Sequence, residues 1–425
     1  MASLLAASAL VVGGVAAGCG GDDDDSGAAS NGGGGGSVSD VKLGVLVPLT
    51  GALADFGGPG STAANLAAQQ INTAGADKDF KVTLVTEDTK TDGQAAQEAA
   101  TKVIESDGVA AIAGPWATPE LIPTVENVTV DAGIPIVTPS ATGPDITTLD
   151  DDGLVFRTPP SDAIQGQVLA QVVTDALGQG KTVNTASRND AYGDALVEEF
   201  TKAYEALGGK VAKNVSYDPN AASLNSEAQQ IADGNPDGWV IIDYTGTWPK
   251  LGPALVRTGK WDPTRTFTGD GLRSTDLPKD AGKATTEGIR GTVPTSLDAP
   301  AGAAFDKLWK SDPANGARQT YDAQNFDAVM LLALASLAAG STDGADIAGK
   351  LQEVSGPPGK KYTYEQLPEA ITALQNGEDI DYEGASGPID LDENGDPSAA
   401  NYSTWSYKGG KLVDTTQVIP FTKGE

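Results

Sequence analysis

The chain has 425 residues, 39 % of them apolar, a formal net charge of −30 at pH 7 and a pI near 4.2. That length predicts roughly two or three domain-sized units with real cores, and so acidic a chain argues against nucleic acid as a partner, because phosphates require clustered positive charge. There is no histidine and a single cysteine, Cys19, which excludes a Ser-His-Asp triad, a Cys-His pair, the usual His or Cys zinc sites and an internal disulfide, and leaves carboxylate or Ser-Lys chemistry open.

Leu4 to Val15 is a run of apolar and small residues, too short to span a bilayer and of the length of a signal-peptide core. Ala16, Ala17 and Gly18 lead into Cys19, and the arrangement resembles a bacterial lipobox. The resemblance implies a signal peptide over residues 1–18, cleavage before Cys19 and a diacylglycerol on that cysteine; the alternative is an ordinary secretory signal with an incidental cysteine. No Lys or Arg precedes the apolar run, which places the expected translation start upstream. Residues 19–39, with almost nothing to bury, read as the lipidated cysteine and a flexible acidic, Gly-rich tether. Within it Asp22 to Asp25 read as a solvated spacer rather than as metal ligands. The expected location is therefore extracytoplasmic, with a globular body held to the membrane by its lipid.

The body opens on "VKLGVLVPLTG", where the β-branched run Val41 to Leu49 predicts a strand buried on both faces of a parallel sheet. Helical spacing follows over Gly60 to Ala74, then a strand over Lys81 to Thr86, a helix over Gln94 to Glu105, a strand over Val109 to Ala113, a helix near Pro119 to Asp131 and a strand over Ile134 to Val137. Such βαβ repetition predicts a parallel sheet covered by helices. After a break at "LVFRTPPSD" a second series begins, with helices over Ala163 to Leu177, Tyr192 to Leu207, Ser223 to Ala232 and Pro249 to Arg257. The strands between them are expected at Thr182 to Ser187, Lys210 to Ser216, Trp239 to Asp243 and Arg265 to Thr268. Beyond Thr292 the pattern turns helical: Ala301 to Lys310, Asp322 to Ala339, Gly344 to Val354 and Leu367 to Asn376. Ala328 to Ala339 is strongly apolar but short, and reads as a buried core helix rather than a membrane span. The tail alternates around Gly409-Gly410, a hairpin signal.

Five stretches, "GVLVPLTGALADFG", "GPWATPEL", "IPIVTPSATGPDI", "RNDAYGDAL" and "FTGDGL", resemble in this order the leucine/isoleucine/valine-binding proteins, type I solute-binding proteins of ABC importers; the resemblance covers Val41 to Phe421. It implies an α/β fold of two Rossmann-like lobes with parallel central sheets joined by three crossing segments. The crossings are expected near Arg157 to Ser161, Val293 to Leu297 and Asp396 to Tyr402. Lobe 1 then comprises residues 40–158 plus 296–398, and lobe 2 residues 159–295 plus 399–425.

Ligands of open α/β sheets bind beyond the carboxyl ends of the strands, where these loops fall. A free amino acid needs donors for its α-carboxylate. The loop Trp116, Ala117, Thr118 and the loop Ser140, Ala141, Thr142 offer backbone N–H groups and two threonine hydroxyls near helix starts. By the resemblance, Asp270 takes the ammonium with the Ser140 carbonyl as a second acceptor, Tyr192 closes over the ligand from lobe 2 and Phe56 from lobe 1, and Trp116 narrows the side-chain pocket. After the strand at Trp239 to Asp243, Tyr244, Thr247 and Trp248 are alternatives for the aromatic wall. Each residue also fits ordinary packing: "TPSATGP" as a strand end and turn, Asp190 and Tyr192 as a helix start, Asp270 as a turn aspartate.

"DLDENGD", Asp390 to Asp396, matches the first half of an EF-hand loop, but Asn401 stands at the twelfth position and Pro397 intrudes, so a turn near the third crossing is the better reading. The expected function is capture of an amino acid, branched-chain type first, by a monomer that delivers it to an ABC permease, without catalysis, cofactor or metal. The alternatives are a related amide, urea-like or aromatic-acid ligand, a sensing receptor domain, and, last, a secreted hydrolase using two carboxylates.

Overall fold

The computed structural model describes residues 38–295 and 300–422. Cys19, the signal segment, the acidic tether and Ser296 to Ala299 of the second crossing lie outside the described residues. Two sheets organise the chain. The first is wholly parallel, built from β1 (Asp40–Val47), β2 (Lys81–Asp88), β3 (Ala111–Ala113), β4 (Ile136–Thr138) and β5 (Val155–Arg157) in the order β2-β1-β3-β4-β5. The second runs through β6 (Thr182–Arg188), β7 (Lys210–Tyr217), β8 (Gly238–Ile242), β9 (Thr266–Thr268) and β10 (Arg290–Pro294) in the order β7-β6-β8-β9-β10, which repeats the topology of the first.

Central strands read as continuous apolar runs because helices cover both faces, and Leu43 to Val47 of β1 are buried except for what Gly44 cannot offer as side chain. The edge strand β2 is only half-buried. The helix following β1, Ala54–Gly75, starts before the expected Gly60. Its early glycines are close-approach positions rather than breakers: a Cβ on Gly57 would collide with the backbone of Pro48 and Leu49.

Helices from the last third of the chain complete the first lobe. Asp322–Ala339 is its central helix, buried from Asp322 through Leu337, which agrees with the core reading. No single helix among the described residues is long and apolar enough to cross a membrane. A small sheet, β11 (Lys360–Thr363), β12 (Ile380–Gly384) and β13 (Gly387–Pro388), packs beside it and was not anticipated, because its strands are short and carry Lys, Asp and Glu. The buried Asp327 staples it: the carboxylate accepts from the Tyr382 hydroxyl (2.8 Å) and the Ala385 and Ser386 N–H groups (2.9 and 2.7 Å). The C-terminal hairpin, β14 (Ala399–Lys408) and β15 (Lys411–Thr422), turns at Gly409-Gly410 and extends the second sheet antiparallel to β10.

The chain passes between the sheets three times: after β5, after β10 and before β14. Each passage carries proline: Pro159 and Pro160, then Pro294, then Pro397. They are stitched together. The Arg157 guanidinium, fully buried, donates to Asp396 through Nε (2.6 Å) and Nη2 (2.8 Å), and the Thr295 N–H donates to the Asn401 carbonyl at 2.8 Å. "DLDENGD" is a turn, closed by Asp392 N–H to Asp396 O (2.8 Å) and a bridge between Leu391 and Pro397.

Candidate functional site

Between the carboxyl ends of the two sheets lies a small cavity of about 20 Å³, lined by Leu53, Phe56, Thr118 and Ser140 from the β1, β3 and β4 loops, by Tyr192, Tyr244, Asp270 and Gly271 from the corresponding loops of the second sheet, and by Thr320 and Tyr321 at the start of the central helix. Its position outside the strand ends, beside β1 and β3 where the strand order reverses, is the switch-point location expected of open α/β sheets.

Asp270 follows β9 in a single helical turn, Asp270–Leu272, and is 5 % exposed. Three neutral donors reach it: Gln165 Nε2 (2.9 Å) and the Tyr192 hydroxyl (3.2 Å) at Oδ1, and the Tyr321 hydroxyl (2.9 Å) at Oδ2. Burial raises its pKa, and these hydrogen bonds pull against that rise. The glycines on either side let the aromatic wall come close, since a Cβ on Gly271 would lie 2.7 Å from the Asp243 carbonyl and 3.0 Å from the Tyr192 hydroxyl.

That wall is Tyr192 stacked on Tyr244, with centroids 5.1 Å apart and planes at 16°. Arg188 lies 3.7 Å over the Tyr244 ring and is held by Asp190 and, at 3.8 Å, by Asp243, whose carboxyl burial pushes up to about 7. Asp190 also accepts from the Tyr192 and Gly193 N–H groups (3.2 and 3.0 Å), so it starts the helix Gly193–Ala206 as well as bracing the wall.

In the first lobe the structure separates the expected donors. Phe56, Thr118 and Ser140 line the cavity, whereas Ala117 gives its N–H to the buried Glu120 carboxylate at 2.8 Å and Ala141 gives its N–H to Thr138 Oγ1 at 3.2 Å. Thr142 turns its hydroxyl to Asp162 (2.9 Å). Trp116 is not among the lining residues; it is buried against helix Ala54–Gly75, where Gly60 makes room for its ring. Of the three alternatives after β8, Tyr244 faces the cavity. Thr247 sits 3.4 Å from Arg188, and Trp248 is in the second lobe's core against Trp261.

Sequence reasoning did not find Asp162, Gln165, Leu53, Thr320 or Tyr321. Asp162 and Gln165 stand one turn apart at the start of the helix Asp162–Leu177, which begins one residue before the expected Ala163, and polar residues on its mostly apolar inner face were the available signal. Tyr321 follows no strand and takes a left-handed backbone (φ 68°) ahead of the central helix, so nothing in its neighbours marks it.

The two lobes touch around this cavity. Gly246 N–H donates to the Ala52 carbonyl (2.9 Å), Ser274 Oγ to Asp55 (2.8 Å), and Arg273 Nη1 to Thr320 Oγ1 (2.9 Å). Gln319 accepts from the Thr275 N–H (3.3 Å) and donates to Thr275 Oγ1 (2.8 Å) and Asp276 (3.1 Å). This is a closed cleft.

A family model described as periplasmic binding protein matches residues 40–402. Among curated proteins, the Leu/Ile/Val-binding protein BraC3 of Rhizobium johnstonii is 27 % identical over 381 residues, 88 % of this chain and 94 % of that one. The chemotactic signal transduction system substrate-binding protein BasB of Halobacterium salinarum is 25 % identical over 357 residues, 83 % of each chain. Among solved structures, the leucine binding protein LivK from Thermotoga maritima superposes with a TM-score of 0.72 at 25 % identity, covering 89 % of this chain and 98 % of that one. The chain thus belongs to the periplasmic binding protein family, in the type I group of the leucine/isoleucine/valine-binding proteins, and is an extracytoplasmic solute-binding protein rather than an enzyme.

Proposed function

We propose that the chain captures a free amino acid, of branched-chain type, between its lobes and delivers it to an ABC permease. One observation carries this reading: Asp270 is a buried carboxylate whose three hydrogen-bond partners are all neutral, on the wall of a cavity that both lobes close. A buried anion without a countercharge is costly, and a ligand ammonium supplies that charge. Thr118 and Ser140 face the α-carboxylate from the other lobe, and Leu53 and Phe56 offer apolar surface to an aliphatic side chain. A plain aromatic acid, an amide or a urea-like solute brings no cation to Asp270 and fits less well. Ligand bridging both lobes favours the closed form over the open one, and the closed face is what a permease would read.

The test is calorimetric titration of residues 38–425 with the twenty amino acids, after unfolding and refolding to remove retained ligand. One-to-one binding of leucine, isoleucine or valine supports the reading; binding of benzoate-like acids or urea with no amino acid bound would overturn it. A sensing role is a second reading, favoured by the chemotactic relative from Halobacterium salinarum; a permease gene beside this one would argue against it. We further propose that Cys19 carries a lipid and that the protein works as an anchored monomer. Palmitate labelling should be lost in Cys19→Ser, with release from membranes, and a labelled variant would refute the anchor.

A further inference from the structure

Behind Asp270, where the helix Asp162–Leu177 leaves the first crossing, a second carboxyl is buried without a role in the reading above. Asp162 is 0 % exposed; its Oδ2 accepts from the Thr142 hydroxyl (2.9 Å) and its Oδ1 has no hydrogen-bond partner among the described residues. The nearby Arg157 favours its ionised form through charge but gives it no hydrogen bond. All five donors of Arg157 are engaged elsewhere: Nε and one Nη2 hydrogen on Asp396, the other on Thr147 Oγ1 (2.7 Å), and the two on Nη1 with the carbonyls of Thr142 (3.2 Å) and Gly143 (2.9 Å). Asp396 already balances that guanidinium.

The charged and titratable groups facing Asp162 from the surrounding elements are Asp270, Arg157, Glu199 on helix Gly193–Ala206, the Tyr402 hydroxyl on β14, and the hydroxyls of Tyr192 and Tyr321. Tyr402 is likewise buried with its hydroxyl unpartnered. Gln165, three residues after Asp162 on the same helix, donates to Asp270, so the helix that carries the one carboxyl also reaches the other. Arg157 draws on Asp162 but is already paired with Asp396, so two ionised carboxylates would leave the closed, ligand-free cleft with an excess of buried negative charge, which a low-dielectric site resists by keeping a proton.

We infer that Asp162 and Asp270 together hold one proton in the empty cleft and that an arriving ammonium drives it out to solvent, so that ligand capture releases a proton and tightens as the pH rises. Burial raises both carboxyls, and the charge of Asp270 raises Asp162 further. The ammonium removes the repulsion by neutralising Asp270. Asp162 is thereby a positioning residue for charge, acting through Asp270. This inference rests on the amino-acid reading, and its tests are chosen to separate the two.

Leucine is titrated into the protein at pH 7 in phosphate and in Tris, whose ionisation enthalpies differ, so that the difference in observed heat counts protons. The wild-type chain should release about one proton per ligand, and its affinity should rise by up to about tenfold per pH unit on the acid side. Asp162→Asn should still bind leucine, with no proton released and a flat acid-side pH profile. A merely structural role for Asp162 would weaken binding and leave the proton count unchanged, and that result overturns the inference, as does a wild-type count of zero. In the ligand-free protein at pH 7, where Glu120 and Asp243 also contribute to the infrared carbonyl band of protonated carboxyls, Asp162→Asn should lower that band by the intensity of one carboxyl relative to the wild type. If no amino acid binds, the amino-acid reading falls while this difference still decides the proton: equal band intensity in the wild type and Asp162→Asn refutes the inference, and should that variant not fold, the same comparison with Asp270→Asn decides it.

Discussion

Replacing Gln319 by alanine removes three hydrogen bonds that cross from one lobe to the other, to the Thr275 N–H, Thr275 Oγ1 and Asp276. Gln319 is 5 % exposed in the closed cleft, so its amide is there exchanged from water onto the opposite lobe. Three gross bonds would be worth more, but Thr275 and Asp276 are solvent-exposed and regain water when the cleft opens; the net shift towards the open form is about 2 kcal/mol, roughly thirtyfold. Where the free protein is mostly open, the whole shift appears as a weaker leucine Kd. Where it is mostly closed, the shift appears first as a larger radius of gyration in small-angle scattering of the ligand-free variant. Calorimetry and scattering on one preparation therefore account for the full effect between them. A variant with both quantities unchanged would show that these bonds do not bear on closure.

Asp270→Asn keeps an acceptor for Gln165 and Tyr192 but loses the charge, and should weaken leucine binding by at least about a hundredfold, or ~3 kcal/mol, with an unchanged circular dichroism spectrum; a change below tenfold would remove Asp270 from the site. Glu120 is pushed up by burial to about 7 in the folded protein. A carboxyl whose folded pKa lies above its unfolded value favours the fold while protonated, so its contribution is fully present below the unfolded pKa and is lost as the pH rises towards 7. Calorimetric melting should therefore show a smaller fall in Tm between pH 5.5 and 8 for Glu120→Gln than for the wild type, and equal falls would contradict the assignment. Arg157→Ala leaves the buried Asp396 carboxylate, and the Thr142 and Gly143 carbonyls, without the guanidinium that serves them all, and should cost about 3–5 kcal/mol in urea unfolding. A loss under 1 kcal/mol would mean that the crossings are not held by this pair.

The alternation of apolar strands with amphipathic helices was legible because burial on both faces writes itself as runs such as Leu43 to Val47, and the loops that follow these strands then had to converge. That convergence places Phe56, Thr118, Ser140, Tyr192, Tyr244 and Asp270 around one cavity. What sequence could not weigh was competition among neighbours for the same donor. Ala117 N–H stands at a helix start, where a ligand carboxylate was expected to use it, yet Glu120, three residues on, claims it. Thr142 is claimed in the same way by Asp162, twenty residues away. Tyr321 was hidden for a different reason, since its place at the cavity depends on a single backbone angle ahead of a helix that is otherwise all core.

The prolines in the three crossings bear on the mechanics of the cleft. A pyrrolidine ring fixes φ, and the residue before it is held to extended conformations, so each strap between the lobes has lost part of its torsional freedom. With Arg157 bound to Asp396 and Thr295 to Asn401, the straps are also prevented from swinging independently. What remains is a shared, narrow set of soft angles, so that the lobes turn about one axis and do not wander. Such a joint returns the aromatic wall to the same register at every closure, and it does so without a large entropic penalty, because most of the disorder that closure would remove was never available to the open form.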